Sequence, residues 1–164
     1  IPKHMECISA KLRETGTIVQ EYEDSILVKG NGQLRKANIK TLPYPGFPTD
    51  LQQPMTSMLT TANGTSVITE NLFENRFNHV AELNRMGADI NIYGRNANIN
   101  GVEKIYGTDV KTTDLRAGAA MIIAALMAEG TTRIHNLHYI DRGYERIEEK
   151  LRALGANIKR VSEE

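Results

Sequence analysis

Apolar residues along this chain follow two spacings, one typical of helices and one typical of short strands. Helical spacing predicts helices over residues 3–15, 77–86, 115–128 and 144–154, and a further helix that opens at Asp50 and stops at Gly64. Short runs between turn residues predict the strands. These strands cover residues 17–20, 25–29, 37–41, 65–69, 90–93, 97–100, 108–112, 131–135 and 157–161.

One combination of elements returns along the chain. A helix ends near a Leu, a glycine follows three or four residues later, and a strand comes next, with the glycines at Gly16, Gly87 and Gly155. These glycines are 71 and 68 residues apart. A period near 70 indicates a unit of several helices and strands, because solenoid repeats have periods of roughly 20 to 50 residues.

A second shared feature is an Asp-Leu pair that opens a helix, at Asp50 and again at Asp114. One unit therefore contains a helix, a strand, a turn, a second helix and two strands. The first copy lacks its Asp-Leu helix, so we expect the chain to be a piece of a larger protein. We predict one domain over residues 1–164, with an incomplete repeat at 1–41, a second repeat at 42–107 and a third at 108–164.

The predicted helix at residues 115–128 is apolar on nearly every side. A helix of that kind has to be covered all round. We therefore expect it at the centre of the domain, with the sheets outside it. Because helices and strands alternate within each unit, the pattern predicts an α/β (α+β) fold.

Composition narrows the possible partners. Lys plus Arg and Asp plus Glu each number 20, so the net charge is zero and predicts no nucleic-acid partner. No apolar run approaches the roughly 18 residues of a membrane span, so we expect no membrane partner. The single cysteine, Cys7, has no internal partner for a disulfide and favours a cytoplasmic setting.

Metal and cofactor chemistry find little support in the sequence. The histidines lack a ligand spacing with carboxylate or Cys partners, and His135 and His138 would point to different faces of an extended strand. No glycine-rich phosphate-binding motif is present. Cys7 has only Lys3 and Lys11 nearby, which favours an inert thiol. We expect neither a metal nor a cofactor.

Asp50 is the first candidate for chemistry. It follows a stretch with three prolines and one glycine within residues 43–49, which makes a stiff approach to the helix. Spacing alone favours a plain N-cap at Thr49 or Asp50. The alternative is a general base that rigid backbone holds in place.

Arginines near the predicted helix starts are the second set of candidates. Arg76 fits either a surface ion pair or a planar fork for a carboxylate or phosphate. Arg116 is costly to bury alone, and spacing favours Asp114 as both helix cap and ion-pair partner. Repeats packed about a pseudo-axis would bring Asp50, Asp114, Arg76 and Arg142 to one rim, which would suit an anionic, polyoxygenated ligand.

Four stretches, at residues 45–52, 70–77, 114–117 and 141–145, together resemble the UDP-N-acetylglucosamine 1-carboxyvinyltransferases of bacterial peptidoglycan synthesis. The resemblance covers essentially the whole chain. It implies an enolpyruvyl transferase inside-out α/β barrel, built from repeats of two helices plus a four-stranded sheet, with helices inside and sheets outside. This chain would be most of the C-terminal domain.

The resemblance also implies a reaction and its residues. A cytoplasmic transferase would move the enolpyruvyl group of phosphoenolpyruvate to the 3′-hydroxyl of UDP-N-acetylglucosamine, by addition and elimination, in the first committed step of peptidoglycan synthesis. Asp50 would be the base and Arg142 a phosphate-binding catalytic group. The other matching positions are Leu72 (through its backbone) and Phe73 at the uridine, Arg76 and Arg116 around phosphoenolpyruvate, and Asp114 as a buried acidic partner.

Departures from the family pattern limit these expectations. The family's mobile loop with its Cys or Asp general acid, a Lys-Asn pair and a further phosphate-binding Arg belong to the other domain, and Cys7 does not match the loop cysteine. Gln53-Pro54 also departs from the expected order. We therefore expect the chain alone to be inactive. Two alternatives stay open, a non-catalytic binding or structural module of the same fold and a 3-phosphoshikimate 1-carboxyvinyltransferase relative.

Overall fold

The computed structural model describes residues 1–161. Its helices are α1 (Glu6–Glu14), α2 (Gln52–Leu59), α3 (Val80–Arg85), α4 (Leu115–Met127), α5 (His138–Asp141) and α6 (Ile147–Ala153), and 3₁₀ turns at Pro2–Met5 and Thr49–Leu51 lead into α1 and α2. The strands are β1 (Ile18–Glu21), β2 (Ile26–Lys29), β3 (Ile39–Lys40), β4 (Thr65–Thr69), β5 (Asp89–Tyr93), β6 (Asn96–Asn100), β7 (Asp109–Lys111) and β8 (Arg133–His135).

The strands form three sheets within the described residues. Strands β1 and β2 make an antiparallel hairpin, and β7 pairs with β8 in parallel. The largest sheet has the order β3-β4-β6-β5, in which β3 runs parallel to β4 and the other pairs are antiparallel. Its alternate residues face the core, since Ser66, Ile68, Ala97 and Ile99 are all fully buried.

Helices α2 and α4 pack against each other in the interior, and the sheets lie outside them, as predicted. Met55 and Leu59 of α2 and Met121 of α4 belong to the buried core. The contact also has a polar bond, because the Ser57 hydroxyl donates to the Ala120 carbonyl oxygen at 2.8 Å. This pairing places the start of α2 next to the start of α4.

The prediction that α4 is covered on every side is wrong for the described chain. Ala117, Ala120 and Ala124 are buried, but Leu126 is 48% exposed and Ile123 is only half-buried. Helices α2, α3 and α5 contact α4, and its remaining side faces outward. The apolar character of a helix does not by itself say how many neighbours surround it.

The segment after β8 also differs from the prediction. His138 lies in the short helix α5, not on an extended strand, because α5 packs against α4. Gly118 permits this approach, since a Cβ there would lie 2.4 Å from Cγ1 of Ile140. The predicted strand at residues 157–161 is irregular where the chain is described, because no neighbouring strand pairs with it.

Candidate functional site

The loop before α2 holds Asp50 without using it as a helix cap. Residues 42–47 close on themselves, since the Leu42 N–H donates to the Phe47 carbonyl at 3.0 Å and Phe47 is buried. The chain then enters a 3₁₀ turn, in which the Leu51 N–H donates to the Pro48 carbonyl at 3.1 Å. The predicted side-chain cap is therefore wrong, because backbone carbonyls already serve these donors.

Asp50 instead lies between two arginines from distant parts of the chain. Its Oδ1 accepts a hydrogen bond from Arg116 Nε at 2.5 Å and lies 3.6 Å from Arg76 Nη1. We call Asp50, Arg76 and Arg116 the Asp50 cluster. The Arg116 hydrogen bond, with the charges of both arginines, lowers the pKa of the Asp50 carboxyl, although the side chain is 62% exposed.

Arg76 is largely buried and its direction is set by several neighbours. Its guanidinium carbon lies 4.2 Å from the ring centre of Phe73, a cation–π contact. Its Nη1 also donates to the Thr49 hydroxyl at 3.3 Å. Because these contacts fix the guanidinium, Arg76 presents an oriented charge beside Asp50.

Asp114 caps α4, as predicted, but it is not the ion-pair partner of Arg116. Its Oδ1 accepts the main-chain N–H groups of Arg116 and Ala117, both at 2.9 Å. The carboxylate faces the first turn of the helix, so the Arg116 guanidinium bonds to Asp50 instead. The hydrogen bond that Arg116 donates to Asp50, together with the charges of Asp50 and Asp114, raises the pKa of Arg116.

Arg142 lies at the end of α5, on the turn that packs against the start of α4. A Cβ on the next residue, Gly143, would lie 2.9 Å from Cδ2 of Leu115, so the turn sits directly on the first residue of α4. The Arg142 side chain is exposed and forms no hydrogen bond or ion pair with another of residues 1–161. Its charge is thus available to a ligand.

Leu72 and Phe73 follow β4, and the Phe73 ring lies against the Arg76 guanidinium. Their side chains are 38% and 49% exposed. Their N–H groups donate to Oε1 of Glu70, at 2.9 and 3.2 Å. Leu72 therefore has its carbonyl oxygen, and not its N–H, to offer a ligand.

The spacing of apolar residues did not indicate that Glu70 belongs to the site. This residue is 1% exposed and accepts four hydrogen bonds, from two hydroxyls and two main-chain N–H groups. Its place at the start of the family-like stretch 70–77, directly after the predicted strand at residues 65–69, was the hint in the sequence. The partners come from three separate segments, and only the fold brings those together.

A cleft of about 380 Å³ lies between residues 73–78 and the β5–β6 turn. Phe73, Arg76 and Arg95 are among its lining residues. Asp50 and Arg116 are not among its lining residues, but both belong with Arg76 to the Asp50 cluster. The cleft is therefore adjacent to the Asp50 cluster and open to a ligand that contacts Phe73.

Within residues 1–161, no group of three or more His, Cys, Asp or Glu side chains is arranged to hold a metal ion. The charged groups that converge on Asp50 are arginines, which favour anions. In the part of the chain that the structure describes, no helix has both the length and the apolar character of a membrane span.

The sequence and the fold agree with a known family. Residues 2–151 match the EPSP synthase (3-phosphoshikimate 1-carboxyvinyltransferase) family. The match covers most of the chain, so the chain belongs to that family.

Individual relatives carry a more specific name than the family as a whole. The chain is 58% identical to the UDP-N-acetylglucosamine 1-carboxyvinyltransferase of Clostridium botulinum and 59% identical to a second from Carboxydothermus hydrogenoformans, over 98% and 99% of its length. It spans only 39% of each. It is 58% identical to a protein of the same name from Desulfofundulus thermocisternus and spans 66% of it.

Solved structures agree on the architecture. The enolpyruvyl transferase NikO from Streptomyces tendae superimposes with a TM-score of 0.84 at 28% identity, over 94% of this chain and 36% of that one. An EPSP synthase from Acinetobacter baumannii gives 0.64 at 17% identity, over 93% of this chain and 36% of that one, which shows the fold alone. The predicted enolpyruvyl transferase fold is confirmed.

Proposed function

We propose that this chain is part of a cytoplasmic transferase that moves the enolpyruvyl group of phosphoenolpyruvate to the 3′-hydroxyl of UDP-N-acetylglucosamine, for peptidoglycan synthesis. The observation that carries the proposal is the Asp50 cluster, a carboxylate held by two arginines, with Arg142 exposed nearby. The names of relatives at 54–59% identity support the nucleotide sugar over 3-phosphoshikimate as the acceptor.

The cluster suits a reaction between an anion and a hydroxyl. Arg76, Arg116 and Arg142 would stabilise the phosphate and carboxylate charges of phosphoenolpyruvate. Asp50 would accept the proton of the sugar 3′-hydroxyl as its oxygen attacks C2 of phosphoenolpyruvate, while a general acid from the rest of the transferase would protonate the C3 methylene to a methyl group. In the later elimination step that methyl group would lose a proton as phosphate leaves, which restores the double bond.

The ion pair with Arg116 bears on how Asp50 would act. A carboxyl with a lowered pKa is ionised at neutral pH but is a weak base. An anionic substrate that binds Arg116 or Arg76 would compete with Asp50 for those cations. The pKa of Asp50 would then rise, and its strength as a base would increase when phosphoenolpyruvate is present.

Phe73, Leu72 and Asp114 would have supporting roles. Phe73, exposed beside Arg76, would contact the uridine, and Leu72 would contribute its carbonyl oxygen. Asp114 would act indirectly, since its carboxylate holds the main chain at Arg116. We also propose the division into repeats at 1–41, 42–107 and 108–164, and that the chain alone is inactive.

The decisive experiment is Asp50→Ala in a full-length transferase that contains this chain. Loss of a general base lowers rates by about 100- to 10,000-fold, so phosphate release with both substrates should fall into that range. The melting temperature should stay close to the wild-type value, because Asp50 is mostly exposed.

Asp109→Ala is the matched control, since Asp109 is also exposed and bonds one side chain, His135, at 2.8 Å. It should leave turnover unchanged. Near-normal phosphate release from Asp50→Ala would exclude Asp50 as the base. Turnover with shikimate 3-phosphate in place of the nucleotide sugar would identify the other acceptor, and transfer by the 164-residue chain alone would contradict its inactivity.

A further inference from the structure

We propose that Glu70 is a positioning residue that holds two substrate-facing parts of the site, Thr49 with Asp50 and Leu72 with Phe73, in one arrangement. The proposal rests on the proposed function. Glu70 is 1% exposed, although it is among the residues that line the cleft beside Phe73, and its carboxylate oxygens are occupied by protein donors. It would act through its neighbours and not on the substrates.

The first carboxylate oxygen organises the segment that follows β4. Oε1 accepts the N–H groups of Leu72 and Phe73, at 2.9 and 3.2 Å, and the Thr41 hydroxyl at 2.8 Å. The Thr41 hydroxyl oxygen in turn accepts the Asn71 N–H at 2.9 Å. Three successive main-chain N–H groups are thus tied to Glu70 directly or through Thr41, which fixes the direction of the Phe73 side chain.

The second carboxylate oxygen reaches the Asp50 cluster. Oε2 accepts the Thr49 hydroxyl at 2.8 Å, and the same hydroxyl oxygen accepts Arg76 Nη1 at 3.3 Å. Arg76 lies 3.6 Å from Asp50. Because Thr49 donates its hydrogen to Glu70, its lone pairs face Arg76, and the guanidinium is held between Thr49 and Asp50.

Glu70 fits this arrangement because every neighbour of its carboxylate donates. No Lys or Arg among the described residues pairs with the carboxylate, so hydrogen bonds alone offset the cost of burying it. A glutamine has one acceptor oxygen and an NH₂ group that only donates. It could keep the two main-chain bonds, but the bond from Thr49 would be lost or reversed.

The test is Glu70→Gln in the full-length transferase that contains this chain. A displacement of about 1 Å near the chemistry can cost about 100-fold in rate, so kcat/KM for UDP-N-acetylglucosamine should fall by 10- to 100-fold, with KM raised and kcat lowered together. Glu82→Gln is the matched control. Glu82 also accepts a main-chain N–H, from Lys111 at 2.9 Å, but lies outside the site, so its variant should keep wild-type constants.

Two further variants separate the two arms of Glu70. Thr49→Val removes the link from Oε2 to Arg76 and should lower kcat more than it raises KM for the nucleotide sugar. Thr41→Val loosens the Oε1 side and should mainly raise that KM. This difference between Thr49→Val and Thr41→Val also tests the proposal if Glu70→Gln fails to fold. A merely structural role would change kcat and KM alike in both variants.

The outcomes distinguish this proposal from the function beneath it. If the wild-type protein transfers the enolpyruvyl group while Glu70→Gln keeps wild-type kcat and KM, the positioning role is overturned and the function stands. Equal effects of Thr49→Val and Thr41→Val on both constants would overturn it too. If the wild-type protein shows no transfer, the proposed function is wrong, and the positioning role that rests on it is wrong as well.

Discussion

An Asp-Leu pair stands at the start of both α2 and α4, Asp50-Leu51 in the 3₁₀ turn before α2 and Asp114-Leu115 where α4 begins, yet the two carboxylates have different roles. Asp114 caps α4 and accepts two main-chain N–H groups at 2.9 Å. Asp50 caps nothing and bonds to the Arg116 side chain 66 residues away. The same dipeptide before two packed helices therefore serves a helix in one place and a candidate site in the other.

The backbone in front of each helix explains the difference. Asp114 is extended, with φ −160° and ψ 174°, so its side chain can reach back to the N–H groups of α4. Asp50 lies inside a 3₁₀ turn in which the Leu51 N–H donates to the Pro48 carbonyl oxygen. Pro54 has no N–H, so α2 has one fewer free donor near its start. The Asp50 carboxylate is left for another partner.

Arg116 connects the two helix starts. Its main-chain N–H binds Asp114, and its guanidinium binds Asp50. The packing of α2 against α4 makes this possible, since it places both starts at one rim. The carboxylate that stabilises α4 therefore also positions the cation that holds Asp50.

The largest effect on stability should come from low pH, through His79, which interacts electrostatically with Asp114. His79 is buried, and desolvation lowers its pKa to about 4 despite the opposing charge of Asp114. Between pH 6.5 and 4 the unfolded chain binds a proton that the folded chain does not, so stability falls as the pH is lowered. We expect this proton linkage to lower the free energy of unfolding by about 3 kcal/mol between pH 6.5 and pH 4, and the contribution of His79 should not change above pH 6.5.

Urea unfolding of the chain across this pH range measures that loss. His79→Leu should flatten the dependence, because the leucine has no proton to bind. His4→Leu, at an exposed histidine, should keep the wild-type slope. A His79→Leu variant with the wild-type slope would show that another group causes the acid sensitivity.

The next effect should come from the cap itself. Asp114→Ala removes the acceptor of two N–H groups at the start of α4, so the free energy of unfolding should fall by about 1 kcal/mol. Thermal melting at pH 7 measures the change. Asp114→Asn retains an acceptor oxygen and should recover most of the loss, and equal losses for Ala and Asn would point to charge instead of capping.

The smallest effect on stability should come from a substitution of Asp50, the carboxylate in the turn before α2. Asp50→Asn removes the charge of a carboxylate that is 62% exposed, and exposed ion pairs contribute about 0 to 1 kcal/mol. The melting temperature should therefore hardly change. A loss as large as that of Asp114→Ala would break the comparison, because it would show that Asp50 also supports its helix.

Many local elements could be predicted because their cause is local. Residues 65–69 form β4 as predicted, and α4 begins at Leu115 as predicted, where Asp114 and the apolar run coincide. Helix α5 was missed because its four residues are too few to show a helical period. The strand at 157–161 was predicted wrongly, since a strand also needs a neighbouring strand to pair with.

The candidate site was predictable in its residue types but not in its bonds. The sequence placed Asp50, Arg76 and Arg116 near predicted helix starts, and the fold brings them together. It did not reveal that Arg116 binds Asp50 and not Asp114. It also did not reveal Glu70, whose four donors come from Thr41, Thr49, Leu72 and Phe73.

By itself the sequence determined most of the helices and strands, because spacing, caps and turn residues act over a few positions. Only the tertiary structure decided which carboxylate meets which arginine. Those pairs join residues 26 to 66 positions apart, and their distances depend on how α2 and α4 pack. Capping is settled within one turn of a helix, whereas an ion pair between helices exists only once both are in place.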